Sequence, residues 1–329
     1  MKPRLLVLEL WGLGDLVIAT PFLRAAAEKF NVTLLAQPFA LELQTHFWPA
    51  VKVVPFVAPW TAFRHKYQLW HWPWRELSQL RRRLLAENFD GGVSARSDPR
   101  DHLVLKLSGA RERYGFPRLK SQRYLTHGLI RPDPLAHRVE SWRVAGAALG
   151  LPLPARSKIF AEPGDRPPVV LIHTGARSPL RVWPLTHFQE ITMRLRKKNF
   201  RVQIACDPDQ INWWRSQGEA AICPQSVSEL LAAIDNTSVF IGNDSGPGHL
   251  AAACGRPTFT LFGPQLYEWF IPFHSASEAF EGKACPYKPC SDYCRFPKPF
   301  CLQDVTVEEV WPRMETFVTR HLFPITVNS

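Results

Sequence analysis

The sequence has no long hydrophobic runs. Across its 329 residues, no apolar stretch approaches the roughly eighteen residues that a bilayer-spanning helix requires. Its first residues also lack the basic start, apolar core and small-residue cleavage site of a secretion signal. We therefore expect a soluble, cytoplasmic protein.

Motifs for several common activities are also missing. The fingerprint G-x-G-x-x-G with a downstream ribose-binding acid is absent, which argues against a dehydrogenase. No helix-turn-helix, RNA-binding or zinc-finger pattern accompanies the net charge of +11, so nucleic acid is not an expected partner. No Asp-x-Asp stands in a setting suited to a metal ion, and we expect neither a metal nor a cofactor.

Cysteine is present, but not in the spacing of a usual metal site. Three of the seven cysteines stand in apolar segments and are expected to be small buried side chains: Cys206, Cys223 and Cys254. The other four form a cysteine cluster: Cys285, Cys290, Cys294 and Cys301. The cluster lacks the paired C-x2-C of most zinc sites, and a cytoplasmic protein disfavours disulfides. We expect free thiols, with zinc binding as the alternative.

Basic and aromatic residues are abundant, with 12 tryptophans and a pI near 9.5. One basic and aromatic segment contains Arg64, His65 and Lys66, then Trp70 to Arg75, then Arg81 to Arg83. It is interpreted as a surface for anionic groups at a membrane interface. For Arg81 to Arg83 a solvated helix face is the alternative. A second group is the better candidate for binding an anionic acceptor, because it lies in a loop: Arg111, Arg113, Arg118, Lys120 and Arg123.

Strand-like runs alternate with helical segments along the chain. The predicted strands are residues 4–10, 31–36, 51–57, 91–95, 169–173, 200–206, 238–242 and 258–262. The predicted helices are residues 16–30, 75–88, 184–198, 209–217, 246–254 and 306–322. This alternation predicts parallel sheets in two doubly wound α/β domains, residues 1–160 and 161–329, joined by a proline-rich linker at 151–168. The last helix could alternatively pack on the N-terminal domain.

Ligands of such sheets bind at the carboxyl ends of the strands. The first predicted strand ends at Gly12-Leu13-Gly14-Asp15, where glycines permit a tight turn before a helix. An acid at this point would repel a pyrophosphate but could take a proton from an acceptor hydroxyl. Asp15 is therefore interpreted as a general base, with a simple helix-capping role as the alternative.

Two loops in the second half of the chain have residues that favour phosphate binding. Asp244-Ser245-Gly246 follows an apolar strand, and the backbone N–H groups at the start of the next helix can cradle a diphosphate. The loop from His173 to Pro184 contains small residues and the cations Arg177 and Arg181, which suit phosphate contact.

These motifs resemble glycosyltransferase family 9, the lipopolysaccharide heptosyltransferases. The resemblance covers nearly the whole chain and rests on three groups of residues: Gly14-Asp15 with Pro21, the Thr174 to Pro184 loop, and Asp244-Ser245-Gly246 with His249, Ala252 and Pro257. It implies a GT-B fold, in which two Rossmann-like domains face an interdomain cleft. It also implies that a nucleotide diphosphate sugar, typically ADP-heptose, binds the C-terminal domain and that an acceptor sugar on lipid A binds the N-terminal one.

The resemblance implies roles for individual residues. Asp15 matches the proposed general base, and Arg181 stands where well-matched members have a catalytic lysine. The implied donor-binding residues are Thr174, Gly175, Ala176, Arg177, Ser178, Asp244, Ser245, Gly246 and His249. The expected acceptor-binding residues are Gly14, Arg113, Arg118, Lys120 and Arg123. Gly175 and Ala176 lack the hydroxyl groups found in such members.

The expected function is that of a metal-independent, inverting transferase. It would move a heptose-type sugar from a nucleotide diphosphate sugar to an anionic glycolipid of the lipopolysaccharide core, in peripheral contact with the inner membrane surface. One alternative is a relative that uses another nucleotide sugar and another glycan acceptor. A second alternative is a non-catalytic nucleotide-sugar binding protein.

Overall fold

The computed structural model describes residues 2–61, 68–153, 167–290 and 293–322. Arg64, His65 and Lys66, and most of the predicted linker, lie outside these described residues. The chain divides into two compact units, Met1–Pro154 and Ala155–Ser329. Each unit is an α/β layer structure around one parallel sheet. Among the described residues, none of the helices has both the length and the apolar character needed to cross a bilayer.

The first unit contains six parallel strands in the order β3-β2-β1-β4-β5-β6. The strands are β1 Arg4–Glu9, β2 Asn31–Ala36, β3 Lys52–Pro55, β4 Gly91–Ser94, β5 Glu112–Gly115 and β6 His127–Gly128. The helices are α1 Leu13–Ile18, α2 Thr20–Lys29, α3 Ala40–Phe47, α4 Trp74–Ala86, α5 Pro99–Leu107 and α6 Val139–Ala148.

The second unit contains five strands in the order β11-β10-β9-β7-β8. The strands are β7 Val169–His173, β8 Arg201–Ala205, β9 Val239–Asn243, β10 Thr258–Phe262 and β11 Ser277–Glu281. The helices are α7 Leu185–Lys197, α8 Ile211–Ser216, α9 Val227–Asp235, α10 Gly246–Ala253, α11 Tyr267–Phe270, α12 Phe300–Gln303 and α13 Val307–Leu322. The last helix, α13, packs against α7 and β9 of the same unit.

The central strands are buried because helices cover the sheets. All residues of β1 after Arg4 are buried, and β7, β9 and β10 are buried along their whole length. Parallel strands covered on both faces are expected to be apolar throughout, as the sequence of β1 is until its last residue, Glu9.

The helix predicted at residues 16–30 is divided in two. One segment, α1, ends at Ile18, and α2 begins at Thr20 with Pro21 in its first turn. A proline at that position has no backbone N–H to donate to the preceding turn, so the chain restarts as a new helix. The short first helix keeps Asp15 in its first turn, next to the end of β1.

The strand order reverses once in each sheet. Strands β2 and β3 lie on one side of β1, whereas β4 lies on the other. In the same way β8 lies on one side of β7, whereas β9 lies on the other. The loops that follow β1 and β4, and those that follow β7 and β9, therefore diverge and leave a crevice at each point of reversal.

A buried arginine fixes the helix that begins at one of these crevices. Arg256 is fully buried, and its guanidinium donates hydrogen bonds to Ile234 O at 3.0 Å and Cys254 O at 2.9 Å. It also donates to the Asp235 carboxylate at 3.2 Å. These acceptors lie at the C-terminal ends of α9 and α10, where helices leave carbonyl groups without intrahelical partners. Arg256 thereby ties α10 to α9.

We predict that Arg256→Met lowers the free energy of unfolding by about 3 kcal/mol, because it leaves buried carbonyl groups and Asp235 without their donor. Urea denaturation at equilibrium measures this loss. Arg215→Met is the control, because Arg215 is exposed and its replacement should change the free energy by no more than about 0.5 kcal/mol. An unchanged urea midpoint for Arg256→Met would show that the contacts of Arg256 do not stabilise the second unit.

Candidate active site

The crevice of the first unit is a small polar pocket. Its lining residues come from the end of β1, the first helix, the loop after β4 and the start of α6: Glu9, Asp15, Ile18, Ala95, Arg96, Arg138, Ser141 and Trp142. Two carboxylates and two guanidinium groups thus surround one cavity at the point where the strand order reverses. Such a mixture suits proton transfer beside an anionic ligand.

Asp15 uses both carboxylate oxygens. Its Oδ2 accepts a hydrogen bond from the backbone N–H of Gly12 at 3.3 Å, so the capping contact considered from the sequence is present. Its Oδ1 forms an ion pair with the guanidinium of Arg96. The Asp15 side chain nevertheless remains 23% exposed, so a substrate hydroxyl can reach it. Capping and general-base roles are therefore compatible.

Glu9 is a second acid behind Asp15. It is only 2% exposed, and its Oε1 accepts a hydrogen bond from the backbone N–H of Trp11 at 3.3 Å. Burial raises the pKa of Glu9 to about 8, although the nearby Arg96 lowers it. Glu9 therefore holds a proton at neutral pH.

A third acid, Asp101 of α5, is fully buried beside this group. It accepts hydrogen bonds from Trp60 Nε1 at 3.1 Å and from Ser94 Oγ at 3.3 Å. Burial raises the pKa of Asp101 to about 7, and the charge of Asp98 raises it further. Glu9, Arg96 and Asp101 were not predicted from the sequence as site residues. Glu9 is far from Arg96 and Asp101 along the chain, and the pairing of β1 with β4 brings the two segments together.

The predicted acceptor residues do not line this pocket, although Gly14 directly precedes Asp15. The guanidinium of Arg113 donates to the carbonyl oxygens of Tyr124 at 2.8 Å and Ala110 at 2.6 Å, and so holds its own loop. Arg123 donates to the Tyr124 hydroxyl at 2.7 Å. None of the five predicted residues is among the residues that line the pocket: Gly14, Arg113, Arg118, Lys120 and Arg123. Their role in acceptor binding stays a prediction.

The crevice of the second unit is bounded by the loops after β7 and β9. Thr174, the first loop residue, is fully buried, and its hydroxyl donates to Gln210 Oε1 at 2.8 Å and accepts from Trp214 Nε1 at 3.2 Å. Its carbonyl accepts a hydrogen bond from Asn243 Nδ2 at 2.9 Å. The side chain of Thr174 is therefore engaged in the protein interior, where it fixes the loop.

Gly175 has a close neighbour. A Cβ at this position would lie 2.1 Å from Cγ of Asp207, so a larger residue would require the Asp207 side chain to move. The Asp207 carboxylate is hydrogen-bonded to the backbone of Ala176, while burial and the charge of Asp209 raise the pKa of Asp207. His173 lies on the same side, 4.0 Å from Asp207 between Nε2 and Oδ1, and burial lowers its pKa to about 4. His173 is therefore neutral at pH 7.

An ion pair joins the two loops of this crevice. Arg181 NH1 lies 3.2 Å from Oδ2 of Asp244. The Asp244 side chain is 4% exposed, whereas that of Arg181 is 24% exposed. Nearby, the backbone N–H of Trp183 donates to Asn243 Oδ1 at 3.0 Å. The loop after β7 is thus held against the end of β9, with the arginine presented at the surface.

The other predicted donor-site residues surround this pair. Ser245 is the N-cap of α10 in extended conformation, and its Oγ donates to Asn243 O at 3.2 Å. Gly246 begins α10, and the buried His249 lies in its first turn. In the loop after β7, Arg177 is exposed and Ser178 is buried. The structure therefore brings the two predicted phosphate loops together.

The cysteine cluster lies in a different part of the second unit. Its four members line one pocket together with Lys288, Arg295 and aromatic side chains. None of these four cysteines is in a disulfide in the described part of the chain, and burial raises the pKa of Cys301 to about 11. Within the described ranges, no three or more His, Cys, Asp or Glu side chains are grouped so that they could hold a metal ion.

Most of the basic and aromatic segment is exposed where it is described, whereas Trp72 is half-buried against the core of the first unit. Trp70 is 76% exposed and Trp74 is 56% exposed. Arg81 to Arg83 are exposed on α4, as both a solvated face and a membrane-binding surface require, so both interpretations stay predictions.

The chain matches known proteins over most of its length. Residues 77–298 match the family described as glycosyltransferase family 9 (heptosyltransferase). Lipopolysaccharide heptosyltransferase 1 of Pseudomonas aeruginosa is 26% identical over 316 residues, which cover 87% of this chain and 86% of that protein. Lipopolysaccharide heptosyltransferase 3 of Escherichia coli is 29% identical over 114 residues, which cover 32% of this chain and only 33% of that relative.

Solved structures share the fold. A glycosyltransferase family 9 protein from Veillonella parvula superposes with a TM-score of 0.79 at 17% identity, over 97% of this chain and 98% of that one. The Escherichia coli heptosyltransferase WaaC, solved with ADP, superposes with a TM-score of 0.73 at 17% identity, over 95% of this chain and 99% of that one. These likenesses show that the two α/β units form a GT-B fold. With a family match that spans well over half of its residues, the chain belongs to glycosyltransferase family 9, the heptosyltransferases.

Proposed function

We propose that the protein is an inverting glycosyltransferase that transfers a heptose-type sugar from ADP-heptose to an anionic acceptor of the lipopolysaccharide core. Two observations carry this function: the crevice of the first unit contains an accessible acid, Asp15, and that of the second unit contains an accessible cation, Arg181. Two of the similar solved structures are heptosyltransferases that contain ADP or ADP-2-deoxy-2-fluoro heptose, which supports an ADP-sugar as the donor.

The diphosphate of the donor would bind at the crevice of the second unit. Asp244 carries negative charge and is nearly buried, so its role is to hold Arg181 and not to contact phosphate. Arg181 would then direct its positive charge at the diphosphate oxygens. The N–H groups at the start of α10 add donors aligned with the positive end of the helix dipole. Gly175 and Ala176 can contribute only backbone contacts.

The reaction transfers one proton and breaks one bond. Asp15 takes the proton of the acceptor hydroxyl, whose oxygen forms a bond to the anomeric carbon on the face opposite the diphosphate. The bond between that carbon and the phosphate oxygen breaks, and its electron pair leaves with the nucleoside diphosphate, so the configuration inverts. Arg181 and the amides of α10 stabilise the charge that grows on the leaving group. In this scheme, Arg181 and the amides of α10 stabilise the leaving group as a metal ion does in other transferases. The proposed reaction therefore uses no metal ion.

The acceptor would bind in the first unit. Arg138 is exposed and lines the pocket with Asp15, so it is a candidate to contact an anionic group close to the reacting hydroxyl. Arg118, Lys120 and Arg123 would contact the acceptor further from the reacting carbon. The exposed Trp70 and Trp74, next to the basic face of α4, suit peripheral contact with an anionic membrane surface.

A different nucleotide sugar is the second candidate. The loop lacks hydroxyl groups at Gly175 and Ala176, and the carboxylate of Asp207 lies against Gly175. These features distinguish it from the loop of well-matched family members. A transferase of the same family with another donor and another glycan acceptor would use the same acid and the same cation.

We predict that ADP-sugars raise the melting temperature of the protein more than UDP-, GDP- or CDP-sugars do. A ligand at about 100 times its Kd stabilises the native state by about 2.7 kcal/mol, which differential scanning fluorimetry detects. Arg181→Ala should abolish the shift, whereas Arg215→Ala, at an exposed site, should leave it intact. If ADP-, UDP-, GDP- and CDP-sugars all failed to shift the midpoint, the donor site would be wrongly assigned.

We also predict that Asp15→Asn lowers kcat by at least about 100-fold, because a carboxamide cannot accept the proton. The shift in melting temperature caused by ADP-heptose should persist, since Asp15 and the donor loops belong to different units. Glu28→Gln, which neutralises an exposed acid of α2, serves as the control and should retain full turnover. A near-normal rate for Asp15→Asn would exclude this residue as the base.

A further inference from the structure

A single side chain spans the strand-order reversal of the first unit. Arg96 follows β4, and Asp15 follows β1, yet the Arg96 guanidinium forms an ion pair with Asp15 Oδ1. Gly12 N–H occupies the other oxygen from within the same loop. Arg96 is therefore the contact that ties the carboxylate to the neighbouring strand.

Arg96 is itself held in place from several sides. Its backbone N–H donates to Ser94 Oγ at 3.2 Å, and its carbonyl oxygen lies 3.0 Å from His102 Nε2. Its guanidinium carbon lies 5.3 Å from the ring centroid of Trp11, in a cation–π contact. Behind it, Glu9 Oε1 lies 3.9 Å from NH2 of Arg96. The backbone contacts and the aromatic ring together fix the direction of the guanidinium.

We propose that Arg96 is the positioning residue for Asp15, and that Glu9, 3.9 Å behind Arg96, competes with Asp15 for it when Glu9 is ionised. This inference rests on the proposed role of Asp15 as the general base. Arg96 touches neither the sugar nor the phosphate in this scheme. It keeps the carboxylate directed towards the acceptor hydroxyl while Asp15 remains accessible.

The charged groups around Glu9 support these separate roles of Arg96 and Glu9. Arg96 and Asp15 face Glu9 within the pocket, Asp101 faces it from α5, and Arg138 at the start of α6 faces Arg96. Burial raises the pKa of Glu9 to about 8, so at neutral pH Glu9 is uncharged and the charge of Arg96 is directed at Asp15. As the pH rises through about 8, Glu9 ionises and competes with Asp15 for Arg96.

Kinetics of Arg96 variants test the first half of the inference. Arg96→Gln should lower kcat by about 100-fold and leave the KM for ADP-heptose nearly unchanged. Arg96→Lys should lower kcat by about 10-fold, because an ammonium group keeps the positive charge but has neither the planar, forked donor geometry of a guanidinium nor its contact with the Trp11 ring. Arg100→Gln is the matched control, since Arg100 pairs with Asp98 on the same segment and should retain full kcat.

Chemical rescue separates positioning from folding. Methylguanidinium added to Arg96→Ala should restore at least about 10-fold of the lost kcat, and it should not activate Asp15→Asn. A kcat of Arg96→Gln within 3-fold of wild type would overturn the inference. So would a loss confined to the KM of the acceptor, or a lack of rescue in a variant with wild-type melting temperature.

The pH profile tests the role of Glu9. Glu9→Gln keeps an oxygen for the Trp11 N–H and cannot ionise, so its kcat should not fall at the pH where ionisation of Glu9 lowers the kcat of wild type. The wild-type kcat should decline as the pH rises through about 8, and the decline should move to higher pH in Glu9→Gln. Identical alkaline profiles would contradict the link from Glu9 to Arg96.

The melting temperature as a function of pH tests this inference without turnover, and therefore independently of the proposed function. The unfolded chain loses the Glu9 proton near pH 4.5, whereas the folded protein keeps it until about pH 8. The unfolded state therefore binds fewer protons across this window, and Glu9 lowers the stability of the fold as the pH rises. The melting temperature of Glu9→Gln should exceed that of wild type by about 5 °C at pH 8 and by almost nothing at pH 4.5.

Arg96→Gln completes this test. Without the cation, the pKa of Glu9 should rise further, so the wild-type loss of stability should continue above pH 8 in this variant. If no sugar donor is turned over but these pH dependences are observed, the proposed function fails while the contacts of Glu9 and Arg96 stand. If melting temperatures of wild type, Glu9→Gln and Arg96→Gln change in parallel with pH, the inference fails.

Discussion

An arginine–aspartate pair bridges the strand-order reversal in each unit, and both candidate sites depend on these pairs. Arg96 reaches Asp15 between the loops after β4 and β1, and Arg181 reaches Asp244 between the loops after β7 and β9. At such a reversal the loops turn away from each other, so backbone hydrogen bonds do not join them. A long side chain with a planar, charged end can cross that gap, and a carboxylate fixes its direction.

The two pairs differ in which member is presented to a ligand. In the first unit, the two side chains are nearly equally exposed, 25% for Arg96 and 23% for Asp15. In the second unit, Asp244 is almost completely buried and Arg181 alone is accessible. One arrangement thus offers a carboxylate that can accept a proton, whereas the other offers a cation that can stabilise a diphosphate. In the proposed reaction the same interaction would serve two different steps, because the burial of the acid differs.

Much of this organisation was predictable from local patterns. Continuous apolar runs indicated the buried central strands, and the glycine-rich loops after β1 and β9 indicated the two points of strand-order reversal where we expect ligands to bind. Glu9 and Arg96 escaped prediction because their partnership depends on the pairing of strands that are distant in sequence. Arg113 illustrates the converse: it stands in a basic loop, but its guanidinium is used by the carbonyl groups of that loop. Sequence proximity cannot distinguish an arginine that binds a ligand from one that holds its own backbone.

The most direct test of the second pair is a crystal structure of the protein with ADP-heptose. The diphosphate should accept hydrogen bonds from Arg181 and from the first N–H groups of α10, while Asp244 remains paired with Arg181 and does not touch the phosphates. A diphosphate bound elsewhere on the second unit, or an Arg181 turned away from it, would contradict the assignment of this crevice as the donor site.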